Sequence, residues 1–342
     1  MKVRFTAFTI FILFLFGALS ALAQSHPQQP SGPYTFEINA EEVVLNCTVL
    51  DSKGQLVNGL DKSNFKVAED GIPQTIISIQ HQDTPVSIGL LVDNSGSMRP
   101  KRAAVTSAAL DLVKASNPGD ETFVINFSDQ AYLDQDFTSD LGRLQNGLAH
   151  LSLSGGTALY DTIVTAADKM EQSAKRPRRV LIVITDGEDN ASRLSLDQAI
   201  RRVQDMQGPI IYSIGLLFTG NSSGGDKRRA RHALEALASQ TGGIAFFPAS
   251  LQDVDAVAAE VARDIRNQYI LAYYSARASA AGYHSVKVQA RASGRGKLTV
   301  HTRTGYYSKQ SPFARSKSGR EMTDTNIGGH DRAKFGMYQP YA

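Results

Sequence analysis

The chain has 342 residues, 42% of them hydrophobic, and its 36 basic and 33 acidic side chains leave a formal charge of +3. That length accommodates one large domain or two ordinary ones with a sizeable core, and so even a balance gives no pointer to nucleic acid. A single cysteine, Cys47, excludes an intramolecular disulfide framework.

Residues 1–23 read as a secretory signal peptide. Lys2 and Arg4 precede an almost unbroken apolar run over 5–22, and Ala21-Leu22-Ala23 supplies a small-x-small cleavage pattern. The alternative is an uncleaved N-terminal membrane anchor, since a run of about 18 residues is near the lower limit for crossing a bilayer. No later stretch approaches that length. Residues 24–34, rich in Gln, Pro, Ser and Gly, read as a disordered linker.

Residues 35–84 form a β-rich flank. Strands are expected at 36–38, at 42–49 around a core Cys47, near Phe65, and at 76–79, with a turn at Asp51-Ser52-Lys53-Gly54. So short a β segment needs a packing partner. From 85 to 267 strands and helices alternate. Strands are expected at 87–92, 122–127, 180–185, 210–216 and 244–247, with an edge strand at 131–137 that exposes Asp134 and Asp136. Helices are expected at 101–115, 139–151, 158–174, 195–206, 229–240 and 251–267. Alternation of this kind predicts a doubly wound, mainly parallel sheet with helices on both faces. Residues 268–307 return to strands, at 269–274, 284–290 and 297–303. They are expected to pair with 35–84 as one β-sandwich carrying the α/β unit as an insertion. Residues 308–342 are polar and aperiodic and read as a disordered tail.

The α/β unit carries the informative motif. An apolar strand runs into Asp93-Asn94-Ser95-Gly96-Ser97; Ser154-Gly155-Gly156-Thr157 and Ile184-Thr185-Asp186-Gly187 follow. Three hydroxyls and two carboxylates are all-oxygen ligands suited to a hard divalent cation. In an open α/β sheet, ligands sit outside the carboxyl ends of the strands, where Asp93 and Asp186 both fall. A lone Asp-x-Ser-x-Ser loop is often just a capped helix start; three pieces at strand ends are far more specific.

This constellation resembles the metal-ion-dependent adhesion site of von Willebrand factor type A domains, over residues 85–265. The resemblance implies a Rossmann-like fold in which Ser95, Ser97 and Thr157 bind the cation directly, with Asp93 and Asp186 holding it directly or through water. It implies Mg²⁺, with Mn²⁺ or Ca²⁺ left open, and a protein ligand that presents an Asp or Glu carboxylate to the metal. Gly96 and the Gly155-Gly156 pair are expected to permit the tight backbone that aims the hydroxyls. Asp161 is either an acceptor behind the site or an ordinary helix N-terminal acid. The acids at 188–189 read as a polar turn, with a weak second cation site as the alternative, and loop 217–228 should emerge beside the site, either tuning partner choice or serving as a tolerated surface insertion. Residues 35–310 also resemble bacterial secreted proteins that carry this domain between β-rich flanks, including the Gly305-Tyr306-Tyr307 ending.

The expected function is a secreted or periplasmic envelope module for metal-dependent protein binding, not an enzyme. No dinucleotide fingerprint or nucleophile elbow is present, and no histidine lies in the three motif pieces. The alternatives are a metal-stabilised structural component of the envelope and, less favoured, a metal-dependent hydrolase. The basic runs at 176–179, 201–202 and 227–231 read as solvated faces, not nucleic-acid surfaces, and a membrane enters only through the N-terminal segment.

Overall fold

The computed structural model describes residues 41–150, 155–187, 189–218, 223–277 and 280–308; the expected strand at 36–38 and both terminal segments fall outside them. The chain opens with β1 (Glu42–Leu50), β2 (Phe65–Glu69), β3 (Ile72–Gln74) and β4 (Ile76–Gln80). The α/β unit follows. Its strands are β5 (Val86–Asp93), β6 (Glu121–Phe127), β7 (Ala131–Thr138), β8 (Arg178–Thr185), β9 (Ile210–Gly215) and β10 (Ala245–Phe246). Its helices are α1 (Arg102–Lys114), α2 (Leu141–Ala149), α3 (Leu159–Ser173), α4 (Leu196–Asp205), α5 (Gly224–Thr241) and α6 (Val254–Arg266). The chain returns to strands with β11 (Tyr269–Tyr274), β12 (Gly282–Ala290), β13 (Thr299–His301) and β14 (Gly305–Ser308).

The α/β sheet has the order β10-β9-β8-β5-β6-β7; every neighbouring pair is parallel except β6 with β7. All eight residues of β5 are buried, as a central parallel strand requires. Ile88, Leu90 and Val92 face a core shared with α1, α2 and α6, while Leu91 faces one shared with α3, α4 and α5. Both faces are therefore covered, and the fold is the expected doubly wound one.

The flanks close on each other as expected. β1 pairs antiparallel with β11, and β2 with β12, giving two four-stranded sheets, β13-β1-β11-β4 and β14-β12-β2-β3. Leu45, Cys47, Phe65, Tyr269, Leu271, Val288 and Tyr306 share the core between them. Cys47 is fully buried, and burial pushes its thiol up to about 12, so it packs as an inert small side chain. Among the described residues no helix is long and apolar enough to cross a membrane.

Four local readings change. The helix expected from 229 begins at Gly224, because Ser223 and Asp226 form a capping box that overrides the weak propensity of Gly224-Gly225. The strand expected at 297–303 shortens to β13, and a further strand not expected from sequence, β14, follows on the other sheet. Asp134 turns inward, accepting from Asn126 Nδ2 at 2.7 Å, whereas Asp136 stays exposed. Arg178 lies in a run expected to be solvated, yet is 6% exposed.

Arg178 belongs to a polar junction between the α/β unit and the sandwich. Its Nη2 donates to Gln268 Oε1 at 2.7 Å and to the Ile265 carbonyl. Gln268 Nε2 donates to Tyr212 Oη at 2.9 Å, and the Tyr212 hydroxyl donates to Asp264 Oδ2 at 2.7 Å. Burial pushes the Asp264 carboxyl from 3.8 up to about 6, against hydrogen bonding from Tyr212 and the nearby Arg178. The folded value exceeds the unfolded one, so this contribution to stability is complete below pH 3.8 and is lost as pH rises through about 6. Between about pH 4 and 7, wild type should lose thermal stability relative to Asp264→Asn, whose amide is neutral throughout. Melting curves that fall in parallel would contradict this.

Candidate metal centre

β5 ends at Asp93 and β8 ends at Thr185, one residue before Asp186, so two neighbouring strands deliver both carboxylates to the carboxyl edge of the sheet. Asp93 is fully buried. Its Oδ1 accepts from Ser95 N at 2.8 Å and its Oδ2 from the Thr185 hydroxyl at 2.6 Å, tying the two strand ends together. Burial pushes the Asp93 carboxyl up; the bonds from Thr185 and Ser95 oppose that, and the neighbouring Asp186 adds to it.

A 3₁₀ turn, Gly96–Lys101, follows the motif, with Ser95 at its N-cap position. Ser95 nevertheless makes no side-chain capping bond. Its hydroxyl lies 3.2 Å from Ser97 Oγ, and Ser97 Oγ donates to Asp186 Oδ1 at 2.9 Å. A simple cap would have turned the Ser95 hydroxyl onto the backbone N–H groups of the turn. Here it faces the other oxygens instead.

Thr157 arrives from the loop before α3. Gly155 has φ +91°, a conformation that favours glycine, and a Cβ on Gly156 would lie 2.4 Å from Asn190 Oδ1. Asn190 Oδ1 accepts from Thr157 N at 2.8 Å, and Asn190 N donates back to the Thr157 carbonyl at 3.0 Å. This reciprocal pair docks the Thr157 loop onto the segment after β8. The Thr157 hydroxyl comes within 3.8 Å of where a Cβ on Gly187 would sit. Gly96 differs from expectation: its φ is not positive, and a Cβ there would meet nothing within 4 Å. It is not needed for the turn and leaves open space in front of the serines.

Ser95, Ser97, Thr157 and Asp186 line one open cleft of about 430 Å³, with Asp93 buried behind it. The five expected residues therefore converge. Leu217, Asp226, Lys227 and Ala230 border the same cleft, so the segments flanking residues 219–222 reach it; those four lie outside the described residues. Thr185, Asn190 and Lys101 were not singled out from sequence. Lys101 is 2% exposed, and its ammonium pairs with Asp186 Oδ2. Asp161 contacts none of the five; it accepts from Arg193 N and Leu194 N, each at 3.0 Å, at the start of α3. Asp189 accepts from Ser192 N, as in a polar turn, and also from Tyr160 N at the start of α3, 29 residues away; Glu188 falls outside the described residues.

Two other features compete for attention. Glu69, Asp70 and His284 gather their ligand atoms within 4.8 Å in the sandwich. His284 Nδ1 lies 2.8 Å from Asp70 Oδ2 and Nε2 2.9 Å from the Ala280 carbonyl, so both ring nitrogens face acceptors and must donate. Burial lowers the His284 pKa, but its bonds to Asp70 and Ala280 outweigh this and raise it. An imidazolium has no lone pair for a metal, and this cluster is an ionic stitch between β2 and β12. A larger cleft of about 790 Å³ is lined by Asp161, Asp168, Gln198, Arg201 and Tyr307 among others. Arg202 already pairs with Asp168 there at 3.1 Å, and among the described residues no three acidic or histidine side chains gather there.

Asn190→Ala removes the acceptor of Thr157 N and leaves that donor without its partner, at a cost of roughly 1–3 kcal/mol. Chemical denaturation of wild type and variant checks the value; unchanged stability would remove Asn190 from its docking role.

Comparison with curated proteins finds no match. Among solved structures, the chain is similar to the von Willebrand factor type A protein of Catenulispora acidiphila, with 13% identity, TM-score 0.45, and 70% of this chain and 73% of that one covered. It is similar to the von Willebrand factor domain of the type V pili tip protein Mfa5 from Porphyromonas gingivalis, with 14% identity, TM-score 0.44, and 54% and 95% covered. It is also similar to proximal thread matrix protein 1 from the mussel byssus, solved with a zinc-occupied site, with 18% identity, TM-score 0.45, and 58% and 49% covered. Likeness at this level identifies neither ligand nor partner. Residues 88–188, which contain all five converging residues, match the family model described as the von Willebrand factor type A domain. The stretch 88–188 of the α/β unit thus carries the von Willebrand factor type A signature.

Proposed function

We propose that the cleft is a divalent-cation site through which the domain grips a partner protein. Ser95, Ser97 and Thr157 would hold the ion through neutral hydroxyls, with Asp93 and Asp186 directly or through water. The observation that carries this reading is the Ser95 hydroxyl, which forgoes its cap and joins Ser97 and Asp186 at an open cleft. An all-oxygen set favours Mg²⁺, Mn²⁺ or Ca²⁺ over softer ions.

Neutral hydroxyls leave much of a dication's charge uncompensated. The bound ion would supply an electrophilic position open to one more anionic oxygen, for which an Asp or Glu of a partner is the natural donor. Asp93 acts from behind: it fixes Ser95 through the backbone and keeps the two strand ends in register. With residues 1–23 read as a signal peptide, the site of action would be the cell envelope or the exterior.

Mg²⁺ should raise the melting temperature of the wild-type protein, by about 2.7 kcal/mol of stability at a hundredfold excess over Kd, and EDTA should reverse it. Thr157→Ala should retain the fold and lose most of that increment; an undiminished increment would exclude Thr157 as a ligand. In pull-downs of envelope and secreted proteins, capture should need Mg²⁺ and be lost with Ser97→Ala. Capture indifferent to metal, together with metal-dependent stability, would favour a purely structural ion, and turnover of phosphoester or peptide substrates would favour hydrolysis.

A further inference from the structure

We infer that Lys101 is a tethered cation that competes with the divalent ion for Asp186 and thereby sets the affinity of the site. The inference rests on the metal-site reading above and adds a residue to it.

Lys101 closes the 3₁₀ turn that begins at Gly96. The turn holds Pro100, which fixes one backbone angle on the way from the serine pair to the lysine. The side chain folds back into the site, 3% exposed, and places its ammonium on Asp186 Oδ2. The opposite oxygen, Oδ1, accepts from Ser97 Oγ at 2.9 Å. Asp186 is thus shared between a hydroxyl of the donor set and a fixed positive charge.

A buried lysine is uncommon, and a surface role would leave it in water. The basic side chains nearby do not replace it. Arg102 points elsewhere, its Nη2 donating to Asn126 Oδ1 and the Leu148 carbonyl, each at 2.7 Å. Lys227 lines the cleft from α5, beside Asp226.

The charges define the consequence. Asp93 and Asp186 with Lys101 sum to a single negative charge, so the site with a dication bound would be positive by one. Without Lys101 the loaded site would be neutral. The ammonium thus has two effects. It weakens the dication, which must share Asp186 with it or displace it. It also leaves the loaded site cationic, which favours an anionic partner group. Both follow from charge and position and require no change in protonation.

The test uses the full chain and Mn²⁺ alone as probe, followed by isothermal titration calorimetry, with thermal melting of the metal-free proteins beside it. Lys101→Met removes the charge, Lys101→Gln keeps a hydrogen-bond donor for Asp186 without it, and Lys101→Arg keeps the charge. A cation close to a carboxylate changes that carboxylate's proton affinity by roughly 10- to 1,000-fold. Lys101→Met and Lys101→Gln are therefore expected to bind Mn²⁺ at least about tenfold more tightly, with Lys101→Arg close to wild type. The metal-free Lys101→Met protein should melt below wild type, because Asp186 has lost its counter-charge. If it does not fold, Lys101→Gln carries the comparison. Thr157→Ala, which removes a hydroxyl of the donor set and leaves Lys101 in place, separates the two failures. Mn²⁺ binding that Thr157→Ala weakens but the neutral lysine variants leave unchanged would overturn the role of Lys101 and spare the metal site. No Mn²⁺ binding in wild type or in the neutral variants would overturn both.

Discussion

The site depends on one buried carboxylate. Asp93 ends the central strand β5 and takes a hydroxyl from Thr185 at the end of β8 and a backbone N–H from Ser95. These bonds set where the chain turns out of the sheet, and so where Ser95 and Ser97 point. A carboxylate this buried is tolerable only with such partners, since an unpaired charge in the interior costs several kcal/mol. The sheet supplies the geometry at no further cost: adjacent parallel strands end at one edge, and whatever follows them is brought together.

The rest of the molecule holds the opposite edge of the sheet. The two flanks form one sandwich because β1 and β11, and β2 and β12, are far apart in sequence but adjacent in space. The α/β unit therefore enters and leaves through the sandwich, with the Arg178–Gln268–Tyr212–Asp264 network at the junction. The network lies at the amino end of β8, where Arg178 begins the strand, whereas the candidate metal centre lies at its carboxyl end. The sandwich thus anchors one end of the sheet and leaves the other open.

Much of this was legible in the residues. The strand and helix periods, the continuous apolar runs and the return to alternation after 268 reflect burial on one face or two, which local pattern encodes. The five converging residues were readable because each follows a strand end or a glycine loop of recognisable type. What escaped depends on tertiary direction. Lys101 and Arg102 are neighbours in one basic pair, yet one turns into the cleft and the other toward α2, and no local pattern distinguishes them. Thr185 and Asn190 serve the site through bonds to residues 92 and 33 positions away in the chain. Arg178 looked solvated because neighbouring basic residues suggested a polar face, whereas it is held inside by its bonds to Gln268 and the Ile265 carbonyl. Gly96 is the reverse case: it resembled a conformational necessity, but its backbone is ordinary and its value is the space it leaves.

Crystals soaked in Mn²⁺ and measured at the manganese absorption edge would test the central claim most directly. A single anomalous peak within coordination distance of the hydroxyl oxygens of Ser95, Ser97 and Thr157, with Asp93 and Asp186 bound directly or through water, is the expected result. A cleft without a peak at saturating Mn²⁺, or a peak held by other residues, would contradict it.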